Sequence, residues 1–334
     1  MFKKKYLIIC TLFAILAILP TTMPDINIAY ADGKAEIAME LTQNCVLYEK
    51  NADCRLPMAS TTKIMTAIII AEDCNLDEQI KVPDESVGIE GSSIYLKHDE
   101  LISVKDLLYG LMLRSGNDAA TALAIHHSGS IENFVSAMNT KAIEIGAEHT
   151  HFANPSGLPD DNHYTTARDL CLIACYAMKN PVFAEVVSSK SYSGDYRSFT
   201  NKNKILYDLE GANGIKTGYT LKAGRCLVSS AKRNNMDVVC VVLNCYDMYE
   251  RSKNIIENCF DRYCVETISQ ELTFNYNGQP CRLSRDYDIC IPRGSNLIYE
   301  VVNIDNTDKV ENAIAKLKIY LKNDLIFSEI LYSI

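Results

Sequence analysis

The chain has 334 residues, of which 48% are hydrophobic and 22% are charged, and its net charge is −9. This composition is typical of a globular protein and excludes a disordered, collagen-like or polytopic membrane chain. The acidic balance argues against a nucleic-acid partner, which would require a basic face. Because 334 residues exceed what one hydrophobic core usually supports, we expect a large domain followed by a smaller one.

Residues 1–31 have the pattern of a secretory signal peptide. Lys3, Lys4 and Lys5 precede an apolar run over residues 6–19, and Ala29-Tyr30-Ala31 supplies a small-residue cleavage site. The pattern predicts export to the cell envelope, to the medium or to the outer face of the cytoplasmic membrane. The alternative is an uncleaved anchor helix, which the shortness of the apolar run disfavours.

In chain order, hydrophobic periodicity predicts strand, turn and strand over residues 35–50, and then a block of helices. The predicted helices cover residues 60–71, 104–113, 118–127, 131–146 and 167–178. Residues 154–162 are dense in turn formers and are predicted to be a loop. The predicted strands that follow cover residues 215–219, 226–231 and 238–243, before a helix over 251–263. Strands on both sides of a helical block indicate an α+β fold, in which an antiparallel sheet packs against helices.

After residue 262 the sequence changes to short runs in which apolar and polar residues alternate. Asn277-Gly278 is a hairpin signal, and residues 316–322 alternate with a period of two. We therefore predict a signal peptide over residues 1–31, a main domain over 32–262 and a small all-β domain over 263–334.

The cysteine and histidine patterns favour neither a metal nor a cofactor. The chain has 13 cysteines but no paired C-x-x-C motifs, and it has no H-E-x-x-H motif or glycine-rich phosphate loop. Twelve cysteines follow the predicted signal peptide, and an exported protein permits disulfides between them. The favoured interpretation is buried thiols, because many lie in apolar runs such as residues 238–242.

Three short motifs stand in chain order and together indicate a serine nucleophile. They are S-T-T-K at 60–63, S-G-N at 115–117 and K-T-G at 216–218. Each is weak alone, because S-S-A-K at 229–232 and S-K-N at 252–254 also occur. Positions i and i+3 share a face on a helix but point to opposite faces of a strand. The pair at 60 and 63 is therefore the one that can act together.

The residue types fit acyl transfer. A serine hydroxyl such as that of Ser60 is a weak nucleophile until a base removes its proton. Desolvation and the nearby charge of Lys216 would lower the pKa of Lys63 and free its amine to act as that base. Ser115 can relay a proton to a leaving amine, and Asn117 can donate its amide to a substrate carbonyl. Taken singly, these residues also have structural explanations, such as helix caps.

The K-T-G strand is expected at the edge of the sheet, where its free backbone groups can pair with an extended peptide. Gly218 would let that peptide approach closely. The N–H of Tyr219 would then join the N–H of Ser60 to form an oxyanion hole.

These motifs and their surroundings resemble the serine-type D-Ala-D-Ala carboxypeptidases, the low-molecular-mass penicillin-binding proteins of peptidase family S11. The resemblance covers residues 35–262 and is weaker beyond them. The similar segments are 57–67, 91–96, 106–120, 151–163 and 214–220.

The resemblance implies a penicillin-recognising serine-hydrolase fold and makes residues 32–262 a carboxypeptidase domain. It implies Ser60 as the acyl-enzyme nucleophile, Lys63 as its base, and Ser115 and Asn117 as relay and orienting residue. Lys216 and Thr217 would hold the terminal carboxylate of the substrate. Arg251 falls near the position of a carboxylate-binding arginine in the family, and the alternative for it is a solvent-facing helix arginine.

The implied substrate is a peptidoglycan stem peptide that ends in D-Ala-D-Ala, with β-lactams as covalent inhibitors. Family members often end in an amphipathic anchoring helix, whereas this chain ends in a β-like run, so membrane association stays open. Two other interpretations remain. A β-lactamase would need fast attack of water on the acyl-enzyme, commonly through a dedicated glutamate, and the loop offers only Asp160 and Asp161. A non-catalytic β-lactam sensor is the other, and the intact motifs argue against it.

Overall fold

The computed structural model describes residues 35–194, 197–304 and 311–334, so the predicted signal peptide lies outside the described residues. The helices are α1 (Lys63–Asp73), α2 (Val104–Tyr109), α3 (Asn117–Ser128), α4 (Ile131–Ile145), α5 (Ala167–Met178), α6 (Pro181–Ser188), α7 (Ile205–Asp208) and α8 (Met248–Arg262). The strands up to residue 243 are β1 (Ala35–Glu40), β2 (Cys45–Lys50), β3 (Gln79–Lys81), β4 (Leu101–Ser103), β5 (Ser191–Ser193), β6 (Ser198–Thr200), β7 (Ala212–Thr220), β8 (Gly224–Arg233) and β9 (Met236–Leu243).

The first large sheet has five strands in the order β2-β1-β9-β8-β7, all antiparallel. The N-terminal hairpin lies beside β9, with Ile37 opposite Val241, so the sheet joins the two ends of this part of the chain. Because β1 and β9 are interior strands covered on both faces, they are almost entirely buried, and apart from Glu36, Glu40 and Asp237 their residues are apolar. The K-T-G segment lies on β7, which is an edge strand.

Helices cover both faces of this sheet. On one face α5 packs against β1 and β9, and a large apolar core joins it to α1, α3 and α4. On the other face α8 packs against β8 and β9 around a second core. The helix ends follow local signals: the Thr166 side chain accepts a hydrogen bond from Asp169 N at the start of α5, and Gly146 ends α4 with a φ of 88°.

Two predicted helices differ in detail from the structure. The run predicted over residues 60–71 begins as a 3₁₀ turn, Ala59–Thr62, and becomes α-helical at Lys63. The run predicted over 104–113 is α2 followed by a π-helical turn, Gly110–Arg114. That turn ends at Ser115, whose φ of 66° lies in the left-handed region. A π turn contains one residue more than an α turn, and this residue determines the position at which the S-G-N motif follows the helix.

The part after Arg262 is all β. Its strands are β10 (Tyr263–Ile268), β11 (Phe274–Tyr276), β12 (Gln279–Arg282), β13 (Tyr287–Pro292), β14 (Leu297–Val302), β15 (Ala313–Leu321) and β16 (Asp324–Ser333). Strands β10 and β13 pair with each other, and the other five form a sheet in the order β11-β12-β16-β15-β14 over a separate core. Asn277 and Gly278, both with positive φ, form the predicted two-residue hairpin turn. The prediction of an α+β fold followed by a β-rich C-terminal part is confirmed.

No single helix among the described residues is both long and apolar enough to cross a membrane. Helices α5 and α6 pass that length and composition test only together, and they are bent by 105° relative to each other. Within the described ranges twelve cysteines are free thiols, seven of them buried.

Candidate active site

Ser60 lies on the 3₁₀ turn that precedes α1, and its neighbours fix that turn. The hydroxyl of Thr61 donates to Met58 O at 2.6 Å, and the hydroxyl of Thr62 donates to Ala59 O at 2.7 Å. Both threonines are fully buried, whereas Ser60 is half-buried and lines a cavity of about 630 Å³. The turn therefore presents Ser60 to the cavity on a rigid support.

Lys63, the first residue of α1, is buried completely and has three polar partners. Its Nζ lies 3.1 Å from Ser60 Oγ and 2.7 Å from Asn117 Oδ1, and it also donates to Ser156 O. The amide and carbonyl oxygens can only accept hydrogen bonds. A neutral amine has two N–H donors for these oxygens, which leaves its lone pair directed at the hydroxyl of Ser60.

The surroundings of Lys63 favour this neutral form. Burial lowers its pKa well below the ordinary value, and the charge of Lys216 lowers it further. The carboxylate of Asp118 acts in the opposite direction and does not offset these effects. An uncharged amine 3.1 Å from a hydroxyl is the arrangement that a general base requires.

Asn117 is held by hydrogen bonds from both its backbone and its side chain. Its backbone N–H donates to Ser92 O at 2.7 Å, and its side-chain Nδ2 donates to Glu90 O at 2.7 Å. The second bond fixes the amide so that Oδ1 is the atom that meets Lys63. Ser115, two residues earlier, lines the same cavity as Ser60.

The edge strand β7 forms the other wall of the cavity. Thr217, Gly218 and Tyr219 line it, and a Cβ placed on Gly218 would lie 3.0 Å from Ser60 N. A side chain at that position would separate the strand from the nucleophile. Lys216 is buried, donates to Thr217 O at 3.0 Å, and has a pKa lowered to about 7 by burial and by the charge of Lys202.

Two further contributors were not singled out from the sequence. Lys202 lines the cavity, and its charge lowers the pKa values of both Lys63 and Lys216. Ser156 contributes only its carbonyl oxygen, which no side-chain pattern can indicate. The loop that carries Ser156 is shaped by Asn154, whose Oδ1 accepts from the N–H groups of Ser156, Gly157 and Leu158. The density of turn formers indicated a loop here but not its contact with Lys63.

Arg251 is not brought to this cavity. Its guanidinium donates to both carboxylate oxygens of Glu36, at 2.9 and 2.6 Å, and to the hydroxyl of Tyr48 at 2.6 Å. Glu36 is only 1% exposed, and a buried carboxylate requires such a partner. The expected role of Arg251 in substrate binding is therefore corrected to a structural ion pair beneath α8.

The second S-x-x-K pair also lies apart from the cavity. Ser229 is fully buried, and its hydroxyl donates to Cys240 O, whereas the exposed Lys232 pairs with Asp237. Their positions on opposite faces of β8 follow from the two-residue period of a strand. Across the described ranges, no group of three or more His, Cys, Asp or Glu side chains could hold a metal ion.

Comparisons with known proteins converge on one family. The sequence profile of D-alanyl-D-alanine carboxypeptidases, peptidase family S11, matches residues 23–247. The chain is 34% identical over 251 residues to D-alanyl-D-alanine carboxypeptidase DacF of Bacillus subtilis, which is 70% of this chain and 63% of that protein. It therefore spans less than two thirds of that relative.

Solved structures are similar over most of the chain. The D-alanyl-D-alanine carboxypeptidase DacD of Francisella tularensis superposes with a TM-score of 0.74 at 25% identity, covering 91% of this chain and 93% of that one. Penicillin binding protein 5 of Haemophilus influenzae gives a TM-score of 0.75 at 26% identity, with coverages of 90% and 96%. The expected penicillin-recognising fold is thereby confirmed, including the C-terminal β part.

Proposed function

Because this chain belongs to the D-alanyl-D-alanine carboxypeptidase family, peptidase family S11, we propose that it removes the terminal D-alanine from peptidoglycan stem peptides through an acyl-enzyme on Ser60. The observation that carries the proposal is the buried, three-partner environment of Lys63, whose Nζ lies 3.1 Å from Ser60 Oγ. A penicillin β-lactam would acylate the same hydroxyl. Such a substrate lies outside the cytoplasm, which agrees with the predicted signal peptide.

The first step is attack by Ser60 Oγ on the carbonyl between the two D-alanines, while Lys63 Nζ takes the hydroxyl proton. The negative oxygen that forms is stabilised by the N–H groups of Ser60 and Tyr219, which stand at the two walls of the cavity. Ser115 relays the proton to the nitrogen of the leaving D-alanine, and the C–N bond breaks. Water then attacks the ester and restores the serine.

The substrate is held by charge and by the edge strand. Lys216, in the middle of β7, and Lys202 place positive charge near the Thr217 hydroxyl, where the terminal carboxylate of the peptide would lie. The free edge of β7 offers backbone groups to the peptide. Gly218 lets this strand lie against the turn that carries Ser60, because a Cβ there would be 3.0 Å from Ser60 N. Asn117, fixed by its bond to Glu90 O, orients the base.

The test is release of D-alanine from a peptide that ends in D-Ala-D-Ala. The wild-type protein should release it, Ser60→Ala should release none, and Ser229→Ala, which alters the unused S-x-x-K serine, should keep the activity. Mass spectrometry after exposure to penicillin should show a long-lived adduct on Ser60. Rapid penicillin turnover would instead indicate a β-lactamase, and an adduct without peptide hydrolysis would indicate a sensor.

A further inference from the structure

The cavity that contains Ser60 extends to the hairpin of β7 and β8. Arg225, Tyr246 and Tyr249 line it together with Ser60 and Ser115. Tyr219 on β7 lies directly opposite Arg225 on β8 in the antiparallel register, so their side chains share one face of the hairpin. The catalytic serine and this arginine therefore face one continuous space.

Arg225 is exposed but held in place. Its guanidinium carbon lies 4.9 Å from the centroid of the Tyr246 ring, which is itself 82% exposed. A guanidinium stacked on an aromatic face keeps its N–H donors in the plane of the group, where they can reach a carboxylate. Arg225 has no ion pair within the described part of the chain. It is a positioned cation without an acidic partner.

The direction of a bound peptide follows from the positions of the charges along β7. The leaving D-alanine and its carboxylate lie toward Lys216 and Thr217, and the reacting carbonyl lies between the N–H groups of Ser60 and Tyr219. The part of the substrate that precedes the reacting carbonyl must then run the other way, past Tyr219 toward the hairpin end. At about 3.3 Å per residue, the residue before D-Ala-D-Ala reaches the level of Arg225.

The charge of the cavity supports an anionic substrate at both ends. Lys202 and Arg225 line it, on a chain whose net charge is −9. Positive charge that lines a cleft concentrates anions in that cleft. Lys216 and Lys202 account for the terminal carboxylate beside Thr217, and Arg225, which pairs with Tyr219, lies two residues further along the hairpin.

We propose that Arg225, positioned by Tyr246, binds a carboxylate on the side chain of the residue that precedes D-Ala-D-Ala. The enzyme would then prefer peptides in which that residue is a diamino dicarboxylic acid over peptides in which it is lysine. This inference rests on the proposed carboxypeptidase function and adds the substrate class to it. A charged hydrogen bond of this kind is worth about 1.5–3 kcal/mol, which corresponds to a preference of about tenfold or more.

The experiment compares three N-acetylated tripeptides that end in D-Ala-D-Ala and differ in their first residue. That residue is meso-diaminopimelate, the same residue with its side-chain carboxylate amidated, or L-lysine. With the full chain, kcat/KM for D-alanine release should be about tenfold higher for the free dicarboxylate than for the other two. In Arg225→Gln, kcat/KM should be equal for the three peptides. In Arg225→Glu, kcat/KM should be highest for the lysine peptide.

Arg285→Gln is the matched control, because Arg285 also stacks on a tyrosine, with its guanidinium carbon 4.7 Å from the ring centroid of Tyr287, in the C-terminal β part. This variant should keep the wild-type preference. Equal kcat/KM for the three peptides in the wild-type protein would overturn the inference and leave the proposed function standing. No release from any of the peptides would overturn the proposed function itself.

Discussion

At the scale of single residues, the site depends on two buried nitrogen bases whose surroundings favour the uncharged form for different purposes. The neutral amine of Lys63 offers a lone pair to Ser60. The neutral imidazole of His163 connects the loop to the nucleophile turn: its Nδ1 accepts from Ala153 N at 3.0 Å, so its Nε2–H donates to Thr62 Oγ1 at 2.6 Å. Thr62 in turn donates to Ala59 O, next to Ser60. Protonating His163 would place a donor against Ala153 N–H and break this chain of bonds.

This arrangement predicts an acid-dependent loss of stability from His163. Burial lowers the pKa of His163 from 6.5 to about 4, although Asp160 acts to raise it. Between these values the unfolded chain binds a proton that the folded protein does not, so the free energy of unfolding falls as the pH drops from 6.5 to 4. The loss amounts to about 2–3 kcal/mol between pH 7 and pH 4.5.

Denaturant unfolding at the two pH values measures this loss. His163→Gln, which cannot take up the proton, should lose about 2–3 kcal/mol less than the wild type over the same interval. His98→Gln removes an exposed histidine that pairs with Asp84 and should behave as the wild type. Equal pH dependence in the wild type and His163→Gln would show that His163 is not protonated differently in the folded state.

At the scale of elements, the loop and the nucleophile turn approach each other closely at Gly157. Gly157 has a φ of 87°, and a Cβ there would lie 2.0 Å from Ala59 O and 2.9 Å from Thr62 Oγ1. The first atom belongs to the backbone and cannot rotate away. Any side chain at this position therefore moves the turn that carries Ser60.

Gly157→Ala should thus lower both stability and the rate of acylation. We expect a loss of about 3 kcal/mol or more in unfolding free energy. Acylation by a fluorescent penicillin should be at least about tenfold slower, because small misplacements of a nucleophile are costly. Gly146→Ala is the matched control: Gly146 has nearly the same φ, 88°, but no atom lies within 4 Å of its Cβ position.

The control should lose only about 1–2 kcal/mol from the left-handed conformation and acylate at the wild-type rate. If the two variants are equally stable and are acylated at the same rate, the close approach of Gly157 to Ala59 does not affect stability or acylation.

The elements that sequence predicts well are those with local signals. The six predicted helices and the strands around residues 215–243 all exist, because periodicity and caps are read within a few residues. Helix α6 was missed, although Asn180 caps it and Pro181 opens it, both of which are local signals. The π turn at Gly110–Arg114 was not predictable, since an α and a π turn have nearly the same apolar pattern.

The sequence does not indicate which distant elements pair with each other. The motif residues could be predicted because S-x-x-K and K-T-G are short patterns with a chemical meaning. The contact of Lys63 with Ser156 O spans 93 residues and involves a backbone atom, so no pattern marks it. Arg251 was misplaced for the same reason, since its partner Glu36 lies 215 residues earlier. Only the assembled sheet brings that pair together.

At the scale of the whole molecule, the cysteines differ in reactivity because each lies in a different environment. The seven buried thiols are held in apolar cores, and burial raises the pKa of Cys226 to about 12. Cys45, on β2, and Cys290, on β13, are half-buried and meet where the catalytic part contacts the C-terminal part. The side-chain oxygen of Gln43 accepts a hydrogen bond from Cys290 N at 2.9 Å and so links the two parts.

The junction predicts one reactive thiol. A hydrogen bond from Cys290 lowers the pKa of the Cys45 thiol to about 7, against the effect of burial. Cys74 is also half-buried, but burial and the charges of Asp73 and Glu78 raise its pKa to about 11. At pH 7 a larger share of Cys45 than of Cys74 is therefore thiolate, which is the reactive form. Cys45 should react at least about tenfold faster than Cys74.

Iodoacetamide labelling of the native protein at pH 7, followed by peptide mass spectrometry, measures these rates side by side. Cys290→Ala removes the hydrogen-bond donor and should slow Cys45 toward the rate of Cys74, whereas Cys281→Ala, in the core of the C-terminal part, should leave it unchanged. Because the thiol that is altered belongs to the C-terminal part and the thiol that responds belongs to the catalytic part, the labelling reports directly on contact between the two. Equal labelling of Cys45 and Cys74 in the wild type would mean that the two parts do not hold this contact in solution.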